Sequence, residues 1–507
     1  MSRRAFLSNL TRTAGGVLVA SGAPAIVRAQ SARPSSEWGT AVGDVTADRA
    51  LVWSRTDRPA RLLVEYATSP SFRDARRVRG SAALDFTGFT ARVDLQGLPP
   101  GQTITYRVTF ESLVDRGLLS EPVIGSFRTP PSDRKEVTFA WGGDTVGQGW
   151  GIDLARGGMT IYESLRRAGP DFFIHSGDTI YPDNPLLPEV TLDDGTVWRN
   201  VVTEAKSKVA ETLDEFRGNY VYNLLDEHLR RFQAEVPLVV QWDDHEVLNN
   251  WYPGEILDDP RYTEKSVDLL AARARRAFLE FQPIRHEGSD EERIFRTVRF
   301  GPLVEVFVLD MRSYRGPNTR ADQPGAPFLG EEQLLWLVDR MRGSTATWKI
   351  VASDMPIGLV VRDQPEGFEA VANGNGPPKG REEEIARLLR SLRDARVRNV
   401  VWLTTDVHHA AALHYHPDRA QFREFHPFRE YVAGPLHAGT FGPPPLDDTF
   451  GPDRVFVSVP ENLKPNRPPS EGLQFFGLLR ATERTLCVTL HNRSGARLHE
   501  EVLELEA

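Results

Sequence analysis

Two oxygen donors sit close together between Asp171 and Asp183: the carboxylate of Asp178 and the phenol of Tyr181. Both are hard ligands suited to a cation. They are three residues apart, so one helical turn would aim both at the same point. The plainer alternative is that Asp178 caps a following helix and Tyr181 packs upon it. Repetition along the chain decides between these readings. Val137–Trp141 leads through two glycines to Asp144, and Val236–Trp242 leads to Asp243, Asp244, His245 and Glu246. Val304–Leu309 leads to Asp310, Trp348–Ala352 leads through Ser353 to Asp354, and Val400–Thr405 leads to Asp406, Val407, His408 and His409. Capping explains one or two of these acids, but not the histidines beside Asp244 and Asp406. Asp406 and His408, alternating along an extended segment, would share a face. Asp and His converging on one rim read as a metal centre built from oxygen and nitrogen. Two cations ~3.5–4 Å apart would bridge an in-line displacement and generate hydroxide at neutral pH, chemistry well suited to phosphate esters.

Two further segments could hold a phosphate. Gly142–Gly151 is glycine-rich, and bare backbone amides there could cradle an oxygen. Arg312 and Arg315 follow another strand end, where each is either a bidentate phosphate clamp or one half of an ion pair.

The positioning elements follow from the same runs. Phe172–Ile174 is a short apolar run of the kind a buried parallel strand needs, and Gly177 lets the chain turn before Asp178. Ligands of open α/β sheets collect beyond such carboxyl ends. From Glu136 onward apolar runs alternate with helical patterns, such as the stripes in Glu264–Phe281 and Glu382–Arg396. That is α/β layering. Tyr181–Glu235 is long enough to cover the site, with a turn at Asp193–Gly195. Gly434–Pro452 reads as irregular, and Gln474–Leu505 alternates as added strands. Residues 35–129 show short period-two segments separated by turns. They predict a small all-β sandwich of fibronectin or immunoglobulin type, joined by Thr129–Asp133 to a catalytic domain over 134–507.

With 507 residues, more than one core is expected. A net charge of -9 argues against nucleic-acid binding as the function. The single cysteine, Cys487, excludes an intramolecular disulfide and a thiolate cluster, and its alternating neighbours predict a small core residue. Residues 1–29 read as a twin-arginine signal peptide: Arg3 and Arg4, the weakly apolar Ala14–Ala25 stretch, then Val27-Arg28-Ala29. This predicts the twin-arginine export machinery as a partner and a periplasmic or secreted location. The apolar stretch is too short for a transmembrane anchor.

The leader, the sandwich, Gly177–Tyr181, Asp243–Glu246, Asp310–Arg315 and Asp406–His408 together resemble the alkaline phosphatase D (PhoD-type) family of calcineurin-like metallophosphoesterases. The resemblance implies a four-layer α/β/β/α catalytic domain, Asp178 bridging two or more metal ions, and Tyr181 on ferric iron. It places Asp244 where relatives carry an asparagine and His245 near the scissile ester. Asp144 stands where the family commonly has cysteine, and Asp354 where purple acid phosphatases have a ligand histidine. The family implies iron and calcium, but the harder carboxylate makes manganese or zinc more plausible. The resulting assignment has Asp144, Asp178, Tyr181, Asp244, Asp406 and His408 as ligands. His245 and Arg312 are then catalytic, and Arg315, Gln148 and His409 bind a small phosphate ester. The alternatives are a phosphodiesterase of phospholipase D-like type, and an exported binding protein with a structural metal.

Overall fold

The computed structural model describes residues 33–285, 290–363 and 367–506; the proposed leader lies outside them. Five-residue segments, each mostly apolar, make the buried strands Phe172–Ser176, Val304–Val308, Trp348–Ala352 and Val400–Thr404. β-branched and aromatic side chains suit a surface covered on both faces. In one nine-stranded sheet, Val137–Gly142, Phe172–Ser176 and Leu238–Gln241 run parallel and adjacent. In a seven-stranded sheet, Val304–Val308, Trp348–Ala352, Val400–Thr404 and Phe428–Val432 do the same.

The two sheets face one another through an apolar layer that includes Phe139, Trp141, Ile174, Val306, Ile350 and Leu403. Helices Val267–Phe281 and Ile161–Ala168 cover the first sheet, and Glu331–Gly343 and Glu382–Asp394 cover the second. The result is a four-layer α/β/β/α body. Its parallel strands end on a common rim.

The tail strands Phe475–Ala481, Thr485–Asn492 and Arg497–Glu504 extend the first sheet beside Val137–Gly142. Cys487 departs from expectation. It is only half-buried, because its strand turns Leu486 and Val488 toward the core instead.

The N-terminal strands form a sandwich with its own core of Val42, Leu62, Tyr106 and Phe127 among others. One face is the four-stranded sheet of Arg76–Ala83, Ala60–Ala67, Thr103–Ser112 and Val123–Arg128. The other face, Thr40–Gly43, Arg49–Arg55 and Thr90–Gln96, is continuous with the nine-stranded sheet through Gly43 opposite Leu238. A buried Arg296–Asp44 pair at 2.8 Å ties this seam to the four-layer body. Among the described residues, no helix is long and apolar enough to cross a membrane.

Candidate metal centre

Each acidic loop leaves the carboxyl end of a parallel strand, so both sheets deliver their donors to one rim. Asp144, Asp178 and the Asp243–Glu246 turn come from the first sheet, and Asp354, Asp406 and His408 from the second. The turns are tight. Asp144, Gln148, Asp178, Asn250, Asp406 and His408 all hold positive φ, between 54° and 66°. Such backbone costs of order 1 kcal/mol or more per residue and persists where surroundings over-determine it. Asp406 and His408 therefore meet the rim through a left-handed turn, not by alternating along a strand. Likewise no helix follows Asp178, and Tyr181 reaches the centre from an irregular turn. Gly177 is required: at φ +102°, an added Cβ would lie 2.4 Å from that of Asp243.

Three groups of potential ligands result: Asp144, Asp178 and His408; Asp178, Asp244 and His245; Asp243, Asp244 and Asp406. Within each group the donor atoms lie within 4.8 Å of one another. Asp178 and Asp244 are shared, which is the arrangement that adjacent cations need. Both oxygens of Asp144, and one each of Asp243, Asp244, Asp354 and Glu369, are buried without a hydrogen-bond partner. Unpaired buried carboxylate oxygens are expensive unless a cation compensates them. Burial, then repulsion from neighbouring carboxylates, pushes the Asp144, Asp178 and Asp406 carboxyls well above their usual range. The Nδ1 of His408 faces the Gly439 carbonyl, which leaves Nε2 as the bare ring nitrogen, 3.0 Å from the Tyr181 hydroxyl. Burial and the nearby carboxylates push the Tyr181 phenol far up, so its ionisation would need a strongly Lewis-acidic partner. The donor set fits hard cations.

Buried partners hold these donors in place. His245 lies with Nδ1 2.8 Å from Asp183. Burial opposes its protonation, but Asp183 and Asp244 outweigh it and raise its pKa to about 9. Its backbone N–H donates to Asp178 at 3.1 Å. The Glu246 carboxylate accepts from the backbones of Asp178, Thr179 and Asp243 and from the Thr179 hydroxyl, at 2.6–3.1 Å, locking two loops together.

The centre opens into a cavity of about 300 Å3 reached by Asp178, Asp244, His245, Asp406 and His408. Gln148, Asn250, Glu369, Val361, Phe441 and Pro444 form its outer wall. The Tyr181–Glu235 segment does not cover it. That segment supports the centre from behind, with Lys206 Nζ on the Tyr181 carbonyl at 2.7 Å and Asn223 on the Thr179 carbonyl at 2.6 Å.

Other expected roles do not match the placement. Arg312 is fully buried and lies 2.5 Å from both Asp243 and Glu369, so it acts as a counter-ion beneath the donors and not as an exposed clamp. Arg315 is equally buried, on Glu369 and Asn318. His409 turns away from the cavity, with Nδ1 on the Val407 carbonyl at 2.9 Å. The amides of Asp144, Thr145, Val146, Gln148, Trp150 and Gly151 all bond protein acceptors, so most of the glycine-rich segment is committed to its own turns. Asp310 caps its own turn, accepting from Arg312 N, Ser313 N and the Trp242 indole. Asp354 is buried 3.5 Å from Arg312 and belongs to none of the three groups. The sequence reading missed Asp183, Asn250 and Glu369. Only Asp183 carried a signal, standing at the end of the Asp178 stretch.

Comparisons with known proteins agree with this fold. A family model described as PhoD-like phosphatase matches residues 139–489, and that of the PhoD-like phosphatase N-terminal domain matches residues 21–131. Alkaline phosphatase D of Bacillus subtilis (strain 168) is 27% identical over 409 residues, 75% of this chain. The match spans 65% of that relative's length. A solved structure of PhoD superposes with a TM-score of 0.69 at 21% identity, covering 94% of this chain and 91% of the other. A purple acid phosphatase from yellow lupin (Lupinus luteus) seeds superposes at 0.55 with 11% identity, over 93% and 74% of the two chains.

Proposed function

Because the chain belongs to the PhoD-like phosphatase family, we propose that it is a metal-dependent phosphoesterase acting at this rim. One observation carries the reading: ligand groups from two sheets, with unpaired buried oxygens, meet at a cavity of ester size. Asp144, Asp178, Tyr181, Asp244, Asp406 and His408 would hold two or more cations, with Asp243 and His245 beside them. Such cations supply Lewis acidity toward phosphoryl oxygens and activation of water. His245, held protonated by Asp183, donates toward the developing charge on phosphate or the departing alcohol. Gln148 and Asn250 offer amides to the ester, and Phe441 and Pro444 shield one side from water. The catalytic role belongs to residues 134–507, and the 35–129 sandwich supports them. Export through the twin-arginine route to the periplasm or beyond is part of the same proposal, supported by the Arg3–Arg4 leader pattern.

The diester alternative has one observation behind it. No lysine or arginine lines the cavity among the described residues. A diester, carrying one negative charge fewer than a monoester dianion, has less need of a side-chain cation there. Steady-state rates on a monoester and a diester of one alcohol decide between them.

The central test is Asp178→Asn. Bound metal and hydrolysis are expected to fall together, with the sandwich still folded by circular dichroism. Full hydrolysis by that variant, or by chelator-stripped protein, would overturn the proposal. Chelation that unfolds a protein without hydrolytic activity would favour a structural metal.

A further inference from the structure

The arrangement of arginines under the centre has a second consequence. Arg312 Nη2 lies 3.7 Å from Asp406 and 4.0 Å from Asp244, two of the carboxylates offered to cations. A guanidinium so placed competes with a cation for the same oxygens, unless something restrains it. On its opposite edge, Nη1 lies 2.5 Å from Glu369 Oε1. Glu369 is itself clamped, since Arg315 Nη1 lies 3.1 Å from that oxygen and Arg381 Nη1 donates to its backbone carbonyl at 3.1 Å. Arg315 and Arg381 stack on the Phe328 ring, with centroid distances of 5.2 and 5.5 Å, and share the Asn318 side-chain oxygen. All these groups are buried, so the guanidiniums cannot retreat into water.

We propose that Glu369 is a positioning residue that anchors Arg312 away from Asp244 and Asp406 and so keeps those carboxylates free for cations. Anchored, Arg312 neutralises Asp243 and leaves the outer donors open. Released, it closes ion pairs with them. This rests on the metal reading above, but concerns how the chain governs cation affinity rather than which groups ligate.

Calorimetric titration of chelator-stripped protein with manganese(II) tests it in four proteins: wild type, E369Q, R312Q and the double variant. In the wild-type background, E369Q is expected to weaken manganese binding ~10–100-fold, the range for outer partners of a metal site. In the R312Q background the same substitution should change affinity by less than about threefold, since uncoupled effects leave only a small residual. Equal losses in both backgrounds would make Glu369 a direct ligand and overturn the proposal. No loss in either would leave it only a structural role and overturn it too. Thermal midpoints of the metal-free proteins separate folding defects from affinity. Should E369Q not fold, E369D, which keeps the charge but draws it back from Arg312, carries the same comparison. Wild-type protein that binds no manganese would overturn the metal reading and this inference together. Binding that is unaltered in E369Q defeats the inference alone.

Discussion

At the residue scale, His245 and Tyr181 make opposite demands on protons. With its pKa raised to about 9, His245 is stabilised as the imidazolium by folding. That contribution is complete below its ordinary value of ~6.5 and is lost as pH rises through about 9. Cations near Asp244 oppose it, so in loaded protein the titration moves down. Asp183→Asn removes the main raising partner. The alkaline limb of kcat is then expected to shift at least about one unit lower while metal content is kept. An unmoved limb would show that His245 is not the acid. Tyr181 behaves the other way, since burial opposes its ionisation. Only a strongly Lewis-acidic ion would produce tyrosinate, so ferric ion should give a visible absorption band that Tyr181→Phe abolishes. A band that persists in the variant would place the chromophore elsewhere.

At the element scale, the strand ends were legible and the turns beyond them were not. Apolar runs followed by acids identify Asp144, Asp178, Asp244 and Asp406 because a buried strand must end before a carboxylate. Period and spacing say nothing about left-handed turns. Asp178 with Tyr181, and Asp406 with His408, therefore do meet at one rim, but through left-handed and irregular turns and not on one helical turn or one extended face. Nor does a sequence distinguish an exposed arginine from a buried one. Arg312 and Arg315 could be clamps until the buried carboxylates of Asp243 and Glu369 are seen against them. Glu369 follows no apolar run: it lies just past the two-residue strand Gly367–Phe368, whose pairing with Arg362–Asp363 no sequence pattern announces. Glycines give a sharper test of the turns. Gly177→Ala forces a contact 2.4 Å from Asp243 Cβ at positive φ. It should cost about 2–3 kcal/mol or more and reduce bound metal. Gly97→Ala also has positive φ but nothing within 4 Å. It should cost only about 1–2 kcal/mol and leave metal content unchanged. Denaturant titration of both variants checks the difference, and equal costs would mean that the Gly177 loop yields.

At the scale of the whole molecule, the sandwich keeps a core of its own but shares a sheet with the four-layer body and reaches into that body's helix-side core through Ala41 and Trp53. The shared backbone is narrow, a Gly43–Leu238 register and one Asp44 N–H on the Leu238 carbonyl at 3.1 Å. Side chains therefore carry much of the docking: the buried Arg296–Asp44 pair and the Trp53 indole on the Glu280 carbonyl at 2.8 Å. Arg296 also donates to the Val240 carbonyl at 2.9 Å, on the strand that leads to Asp243 and Asp244. The seam is thus mechanically joined to the rim. Asp44→Asn strands a buried guanidinium, and is expected to cost about 3–5 kcal/mol in unfolding free energy. Replacing both partners with apolar residues of similar volume should recover most of that loss, because no charge is then left unpaired. If docking passes through this pair, calorimetry should show one transition in the wild type and two in Asp44→Asn, the sandwich melting first. A single transition lowered as a whole would mean that the continuous sheet alone keeps the two parts cooperative, with Arg296 serving only the strand beneath the metal centre.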